Sequence, residues 1–353
     1  MIPNNRVYII GETAFHHEGD VDFLIGLVKA AQDLELDAIK FHLTVDVDDY
    51  MVHNHEALDI LRPWCLGESD WDKVFKETGD LDLILLCNDV ASMEYAKSKD
   101  LNIRALEIHA SGLNDVFLLD SASTFKGTVM LGTGGSTLDE IDFAINYLNA
   151  RGQNDIFLMH GFQNYPTDPK DIKLDRMIKL SELFNLPMGY ADHTDPADAN
   201  NEYISCLGIA KGFSVIEKHF TTAFGEQRID AQAAVSIEQM KKIKALATIT
   251  KDAMGTEKPL QLTTAELKYG NTGPMKKALV AREDITKATQ IALEHIAFKR
   301  TNESSSIKQN EINKILNNTA VKDIKKDEII DLSNVEYAYV AQDINQFKNT
   351  SKK

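Results

Sequence analysis

Short apolar runs alternate with longer stretches of helical spacing through the first ~250 residues. Strand-like runs fall at 6–10, 37–42, 81–87, 103–109, 128–132, 155–160, 187–191 and 214–220. Between them, apolar positions recur at helical intervals, as in Phe23, Leu27, Ala30, Ala31 and Leu34, or Ile141, Ala144, Ile145 and Leu148. Ser136, followed by Asp139 and Glu140, predicts one helix start. Eight such units in roughly 250 residues have the size and rhythm of a closed (β/α)8 TIM barrel. An open doubly wound sheet fits less well, because no nucleotide-binding glycine fingerprint follows the first run.

One connection, 44–80, is too long for a turn and carries His53, His55, Trp64 and Trp71. Two readings stand: a segment that covers and shapes the barrel mouth, or a helical insert packed on the outside. The pattern changes after the barrel domain, 1–253. Residues 254–274 read as a linker broken by Gly255, Pro259, Gly270, Gly273 and Pro274. A small module follows at 275–338, and 339–353 form a polar tail.

Composition narrows the function. A net charge of −16 argues against a nucleic-acid surface, while leaving room for a local anion pocket. The three cysteines, Cys65, Cys87 and Cys206, show no paired spacing and read as reduced thiols. There is no cationic leader followed by an apolar stretch, and no apolar run reaches membrane-spanning length. The expected address is therefore cytoplasmic, with no membrane partner.

In a barrel, residues at strand C-terminal ends face the active site. Those positions hold Glu12, Lys40, His42, Asn88, His109, Ser111, Thr133, His160, Tyr165, His193 and His219, with Arg228 and Asp230 on the loop after the last strand. Such a set is hard to explain as packing, since buried charge is costly unless paired. Lys40 also has a structural role open to it, a salt bridge to Glu12. His193 and His219 lie one βα repeat apart, so two neutral imidazoles are expected at one mouth, where they can share a divalent metal. The glycine-rich turn Gly132-Thr133-Gly134-Gly135-Ser136 offers backbone NH groups to an anion, a weak signal by itself.

These residues, in this order, resemble the sialic acid (N-acetylneuraminate) synthase family. The resemblance rests on Ile10-Gly11-Glu12, Lys40-Phe41-His42, Asn164-Tyr165-Pro166-Thr167, the Gly189-to-Thr194 stretch, and Glu217-Lys218-His219-Phe220-Thr221 with Asp230 beyond it. The later segments Ala278-Leu279-Val280-Ala281 and Val321-Lys322-Asp323-Ile324-Lys325-Lys326-Asp327-Glu328 resemble an antifreeze-like, or SAF, domain. The resemblance implies condensation of phosphoenolpyruvate with an N-acetylated aldose of the N-acetylmannosamine type. The products would be a nonulosonic or related ketoaldonic acid, for surface polysaccharide, and phosphate. It implies Mn²⁺, or Mg²⁺ or Co²⁺, on His193 and His219, proton handling by Glu12, and Lys40 facing the donor's charge. It further implies substrate contacts from His42, Asn88, Ser111, Thr133, Gln163, Tyr165 and Asp230, and a domain-swapped homodimer in which Arg300 reaches the partner's barrel.

The chain also departs from the family pattern. Glu107-Ile108-His109-Ala110-Ser111-Gly112 stands where the family has Lys-Ile-x-Ser-Gly-Glu, so Glu107 replaces a phosphate-binding lysine. Ala191 replaces a serine, His42 a glutamine, and Cys87-Asn88 a Ser-Thr pair. Arg300 lacks the Pro-Gly that usually follows it. The metal half of the expected site is kept and the phosphate half is altered. Two alternatives therefore remain open: a metal-dependent pyruvate aldolase or lyase, and a non-catalytic sugar-binding paralogue.

Overall fold

The computed structural model describes residues 2–3, 6–162, 164–255 and 260–336. They fall into two compact units, 1–255 and 256–353. In the first, eight parallel strands run in sequence order: β1 (Tyr8–Glu12), β2 (Ala38–Leu43), β3 (Asp82–Cys87), β4 (Ile103–Ile108), β5 (Thr128–Gly132), β6 (Ile156–His160), β7 (Met188–Asp192) and β8 (Val215–Thr221). β8 pairs back onto β1, which closes the barrel expected from the sequence. Each run predicted from the sequence is present, with no end shifted by more than two residues.

Strand alternation sorts the side chains into two layers. Tyr8, Ile10, Ala38, Ile84, Ala105, Met130, Phe157, Met159, Ala191 and Val215 form an apolar core inside the barrel. Neighbours of opposite parity, such as Ile9, Ile39, Leu106 and Ile216, pack outward against the helices. The helix Val21–Asp33 buries Leu24, Leu27, Val28, Ala30 and Ala31, and Asp20 caps it by accepting from the Phe23 NH. For the helix Leu138–Asn149 the cap is Thr137 rather than Ser136. Glu140 lies three residues after Thr137 and completes a reciprocal capping box, which decides the start.

The long connection answers to both readings, in different parts. Helix Glu68–Lys76 lies on the outer layer, where the buried Trp71 ring sits 5.7 Å from Phe41 and 5.6 Å from Phe75. Residues 47–64 instead build a small apolar cluster of their own, Val47, Leu58 and Leu61, packed against Phe15, Tyr50, Met51 and Trp64. His53 and His55 are exposed.

In the second unit, Ala278–Ala281 pairs antiparallel with Ile296–Lys299, over a core that includes Leu279, Ile291, Ile315, Ile324 and Ile330. The stretch expected to be a linker carries a helix, Thr264–Tyr269, with a capping box between Thr263 and Glu266. The polar tail, 339–353, lies outside the described residues. Among the described residues, the three cysteines are free thiols, and no helix is long and apolar enough to cross a membrane.

Candidate active site

Strand parity builds the site. Two residues beyond the inward-facing Ile10, Ala38, Ala105 and Val215 come Glu12, Lys40, Glu107 and Glu217, one layer nearer the strand ends. All four are buried. Lys40 Nζ lies 2.9 Å from Glu12 Oε2, 2.9 Å from Glu107 Oε2 and 3.0 Å from Glu217 Oε2. It donates hydrogen bonds to both Glu217 oxygens.

One ammonium among three carboxylates fixes the protonation pattern. Burial alone would lower Lys40, but Glu107, Glu12 and Glu217 hold it well above the usual ammonium value. Burial would raise Glu12, yet the Lys40 charge and then His42, 3.6 Å away, keep its carboxyl well below the usual range. Glu217 goes the other way. Burial pushes it up to about 8, Lys40 opposes that, and the neighbouring Glu107 and Glu12 add to it. Within the cluster, Glu217 is thus the carboxyl inclined to hold a proton near neutral pH.

The next layer out holds the histidines. The His193 and His219 rings are 5.2 Å apart between centroids, and Tyr165 stands edge-on to both, at 4.8 and 5.7 Å. Burial drives His193 down to about 4 and His219 well below the usual imidazole value, so both rings are neutral near pH 7. His219 Nδ1 is buried with no hydrogen-bond partner. Two adjacent neutral imidazoles, one with an orphaned nitrogen, suit a divalent cation whose remaining ligands are solvent or substrate. No group of three or more such side chains is poised for a metal among the described residues. Asp230 sits on the loop after β8 in the left-handed region (φ 62°), and burial raises its carboxyl to about 6.

A cavity of about 480 Å³ at the strand ends joins these groups, with Glu12, Lys40, His42, Tyr165, His193 and His219 among its lining. Several expected site residues are oriented elsewhere. The Thr133 hydroxyl donates to the Met159 carbonyl, because the glycine turn folds it back onto β6. Two NH groups of that turn, Thr133 and Ser136, are also taken, by the Met159 and Thr133 carbonyls. His160 Nε2 bonds the Ile172 carbonyl, which removes it from the reaction cavity. Asn88 donates to Thr44, and Ser111 bonds His109 Nδ1 along a neighbouring polar cleft. Gln163 lies outside the described residues. Arg300 belongs to the second unit, where its guanidinium donates to the Pro274 carbonyl.

Glu217 was not singled out from the sequence, although its position two residues before His219 on a strand puts both on one face. Nor was the support behind the histidines. Asp192 and Lys218, each directly preceding one of them, face away from the cavity and form a fully buried ion pair at 2.8 Å. Tyr190, Thr194 and Ser205 donate further hydrogen bonds to Asp192. This network fixes β7 against β8 immediately behind the two imidazoles.

Comparison with known proteins agrees with this architecture. The sequence profile of the NeuB family matches residues 27–259, and that of the SAF domain matches 276–336. The chain is 28% identical to the uncharacterised protein MJ1065 of Methanocaldococcus jannaschii over 324 residues, 92% of this chain and 93% of that one. It is 27% identical over 342 residues to the N,N'-diacetyllegionaminic acid synthase of Campylobacter jejuni, covering 92% and 99% of the two. Among solved structures, a protein proposed to be spore coat polysaccharide biosynthesis protein E of Chromobacterium violaceum superposes with a TM-score of 0.80 at 18% identity, over 94% of this chain and all of that one.

Proposed function

The chain belongs to the NeuB family and carries a C-terminal SAF domain, and from this premise we propose that it is a metal-assisted carbon–carbon bond-forming synthase of the nonulosonic acid kind. The donor is phosphoenolpyruvate and the acceptor an N-acetylated aldose. The observation that carries this reading is the stacking of two layers in one cavity, a Lys40–carboxylate cluster beneath the facing His193, His219 and Tyr165. The named product class of the Campylobacter relative supports it.

His193 and His219 would hold the ion, which when bound supplies Lewis-acid polarisation of the acceptor's aldehyde. Lys40 faces the donor carboxylate and keeps Glu12 ionised. Glu12 serves as the base beside the reacting carbons, taking the proton of the water that adds before phosphate departs. Glu217 holds a proton within the same cluster. Tyr165 and Asp230 orient the sugar hydroxyls at the outer rim. Arg300 of a second copy, in a swapped homodimer, belongs to the same proposal. So does the choice of Mn²⁺ over Mg²⁺ or Co²⁺.

A second reading has a specific observation behind it. Glu107 occupies the cluster beside Lys40, and a phosphate oxygen brought within ~4 Å of its carboxylate meets a repulsion of about 4 kcal/mol at an effective dielectric near 20. That favours pyruvate as the donor, joined by aldol addition without phosphate release. The deciding experiment measures phosphate release from phosphoenolpyruvate with Mn²⁺ against a panel of aldoses, beside pyruvate consumption with the same panel. Phosphate release that depends on one N-acetylated sugar is the expected result. Pyruvate consumed in its place would transfer the reaction to the aldolase reading.

Metal affinity carries a pH signature. Burial penalises the imidazolium, so the lone pair of His193 survives down to about pH 4, and that of His219 is likewise kept well below the usual imidazole range. An ordinary histidine loses its metal to protons below about pH 6.5. Here the Mn²⁺ dissociation constant is expected to stay flat from pH 8 to 5 in calorimetric titrations and to rise only below about 4. A rise centred near pH 6.5 would place the ion elsewhere.

A further inference from the structure

Two loops meet where the barrel closes: residues 13–20 after β1, and the loop after β8 that carries Asp230. They are tied together at Ile229, the residue before Asp230. The Ile229 NH donates to Glu18 Oε1 at 2.8 Å, and the Ile229 carbonyl lies 2.6 Å from His16 Nδ1. Both backbone polar groups of Ile229 are thus taken by side chains of the first loop. Burial lowers His16 below the usual imidazole value, so its ring is neutral near pH 7. A carbonyl can only accept, so the proton sits on Nδ1, and Nε2 accepts from the Thr221 hydroxyl at 2.8 Å. His16 therefore bonds the end of β8 and the loop beyond it at once.

Arg228 adds a further tie. Its guanidinium lies over the Phe23 ring at 3.9 Å, stands 3.9 Å from Glu18 and donates to the His16 carbonyl at 3.5 Å. Asp230 follows in the left-handed region, which aspartate tolerates without preferring it. It lines a cavity of about 870 Å³ that adjoins the reaction cavity through His42 and Tyr165. His16, Glu18 and Arg228 line neither cavity. A loop side chain is aimed only as well as its own backbone is held, and here the holding comes from behind.

On the reading that Asp230 meets the acceptor's hydroxyls, we propose that His16, Glu18 and Arg228 are positioning residues for it. By pinning Ile229 at both its NH and its carbonyl, they aim the Asp230 carboxylate before the sugar arrives. Acceptor affinity then depends on this clamp, and donor affinity does not.

The test is a double-mutant cycle in the Mn²⁺-loaded full chain, with phosphoenolpyruvate as donor and N-acetylmannosamine as acceptor. Glu18 is partly exposed, so Glu18→Ala is expected to fold, and its melting temperature checks this. Losing one charge-assisted hydrogen bond should raise the acceptor KM roughly tenfold. The donor KM and kcat should stay within about twofold, as when only uniform acceptor binding is lost. Glu18→Gln keeps an oxygen for the Ile229 NH and should restore most of the affinity. In an Asp230→Ala background, where the clamp has nothing to aim, Glu18→Ala should add less than about twofold. An equal penalty in both backgrounds overturns the proposal, because it reports general loosening of the loop. So does a donor KM that rises in step with the acceptor KM, or a Glu18→Gln variant as impaired as Glu18→Ala. An unchanged acceptor KM in Asp230→Ala alone is a different failure. It takes the acceptor role from Asp230, and the clamp proposal falls with that premise.

Discussion

Alanine at His193 or His219 is expected to abolish metal-dependent turnover while the barrel stays folded. On the proposed reading each ring would supply one of the two protein donors to the ion, and a single imidazole holds a divalent cation weakly against water. Lewis-acid activation is worth several kcal/mol of barrier, and at 1.36 kcal/mol per decade its loss amounts to about 10³-fold or more in kcat. The rings lie in the mouth layer rather than in the apolar core, so truncation removes little packing. His219→Gln keeps most of the volume and should be as inactive as His219→Ala, which separates ligand loss from cavity formation. Far-ultraviolet circular dichroism and melting temperature check the fold, and bound Mn²⁺ is counted by paramagnetic resonance. Undiminished turnover in both alanine variants would remove the metal from this pair.

Lys40→Met should produce a large loss of stability. It leaves Glu12, Glu107 and Glu217 buried around a missing charge. Removing one partner of a buried ion pair costs about 3–5 kcal/mol. For a unit of this size that corresponds to roughly 10 °C in melting temperature. The loss has a definite pH sign. Without the ammonium, the folded-state carboxyl pKa values rise above their unfolded values, so the folded state binds protons more avidly. Stability is then present at low pH and lost as pH rises through those values, a range that for Glu217 already reaches about 8 with Lys40 in place. The deficit against the parent should be greatest above pH 8 and shrink toward pH 5. A pH-independent deficit would mean that Lys40 acts mainly by packing.

Much of this architecture is legible in the sequence because barrel strands advertise themselves as apolar runs. The mouth is legible because charged residues end those runs. What a strand end does not reveal is the direction of a side chain once the backbone has left the strand. Thr133 and His160 stand at the right height, yet the turn after β5 folds Thr133 back onto β6, and the segment after β6 supplies a carbonyl that captures His160. Glu217 was recoverable from parity alone, being two residues from His219. The insert resisted because its residues serve two surfaces. Trp64 and Trp71, seven positions apart, belong to different layers, and nothing in their local spacing separates them. The Ser136 cap failed by one residue, since both candidates carry a hydroxyl and only the distance to Glu140 tells them apart.

The Asp192–Lys218 pair has a consequence for how the barrel closes. β8 is the last barrel strand in the sequence and docks against both β7 and β1. Sliding it by one residue exchanges its two faces, turning Lys218 in toward the mouth and leaving Asp192 without a cation. Hydrophobic residues alone discriminate poorly between such alignments, because Val215 and Ile216 are both apolar and each would tolerate the other's side. A desolvated charge pair does not tolerate it. The pair therefore works as a key cut for one alignment, and mouth residues can change without loosening the lock that sets β8 in place.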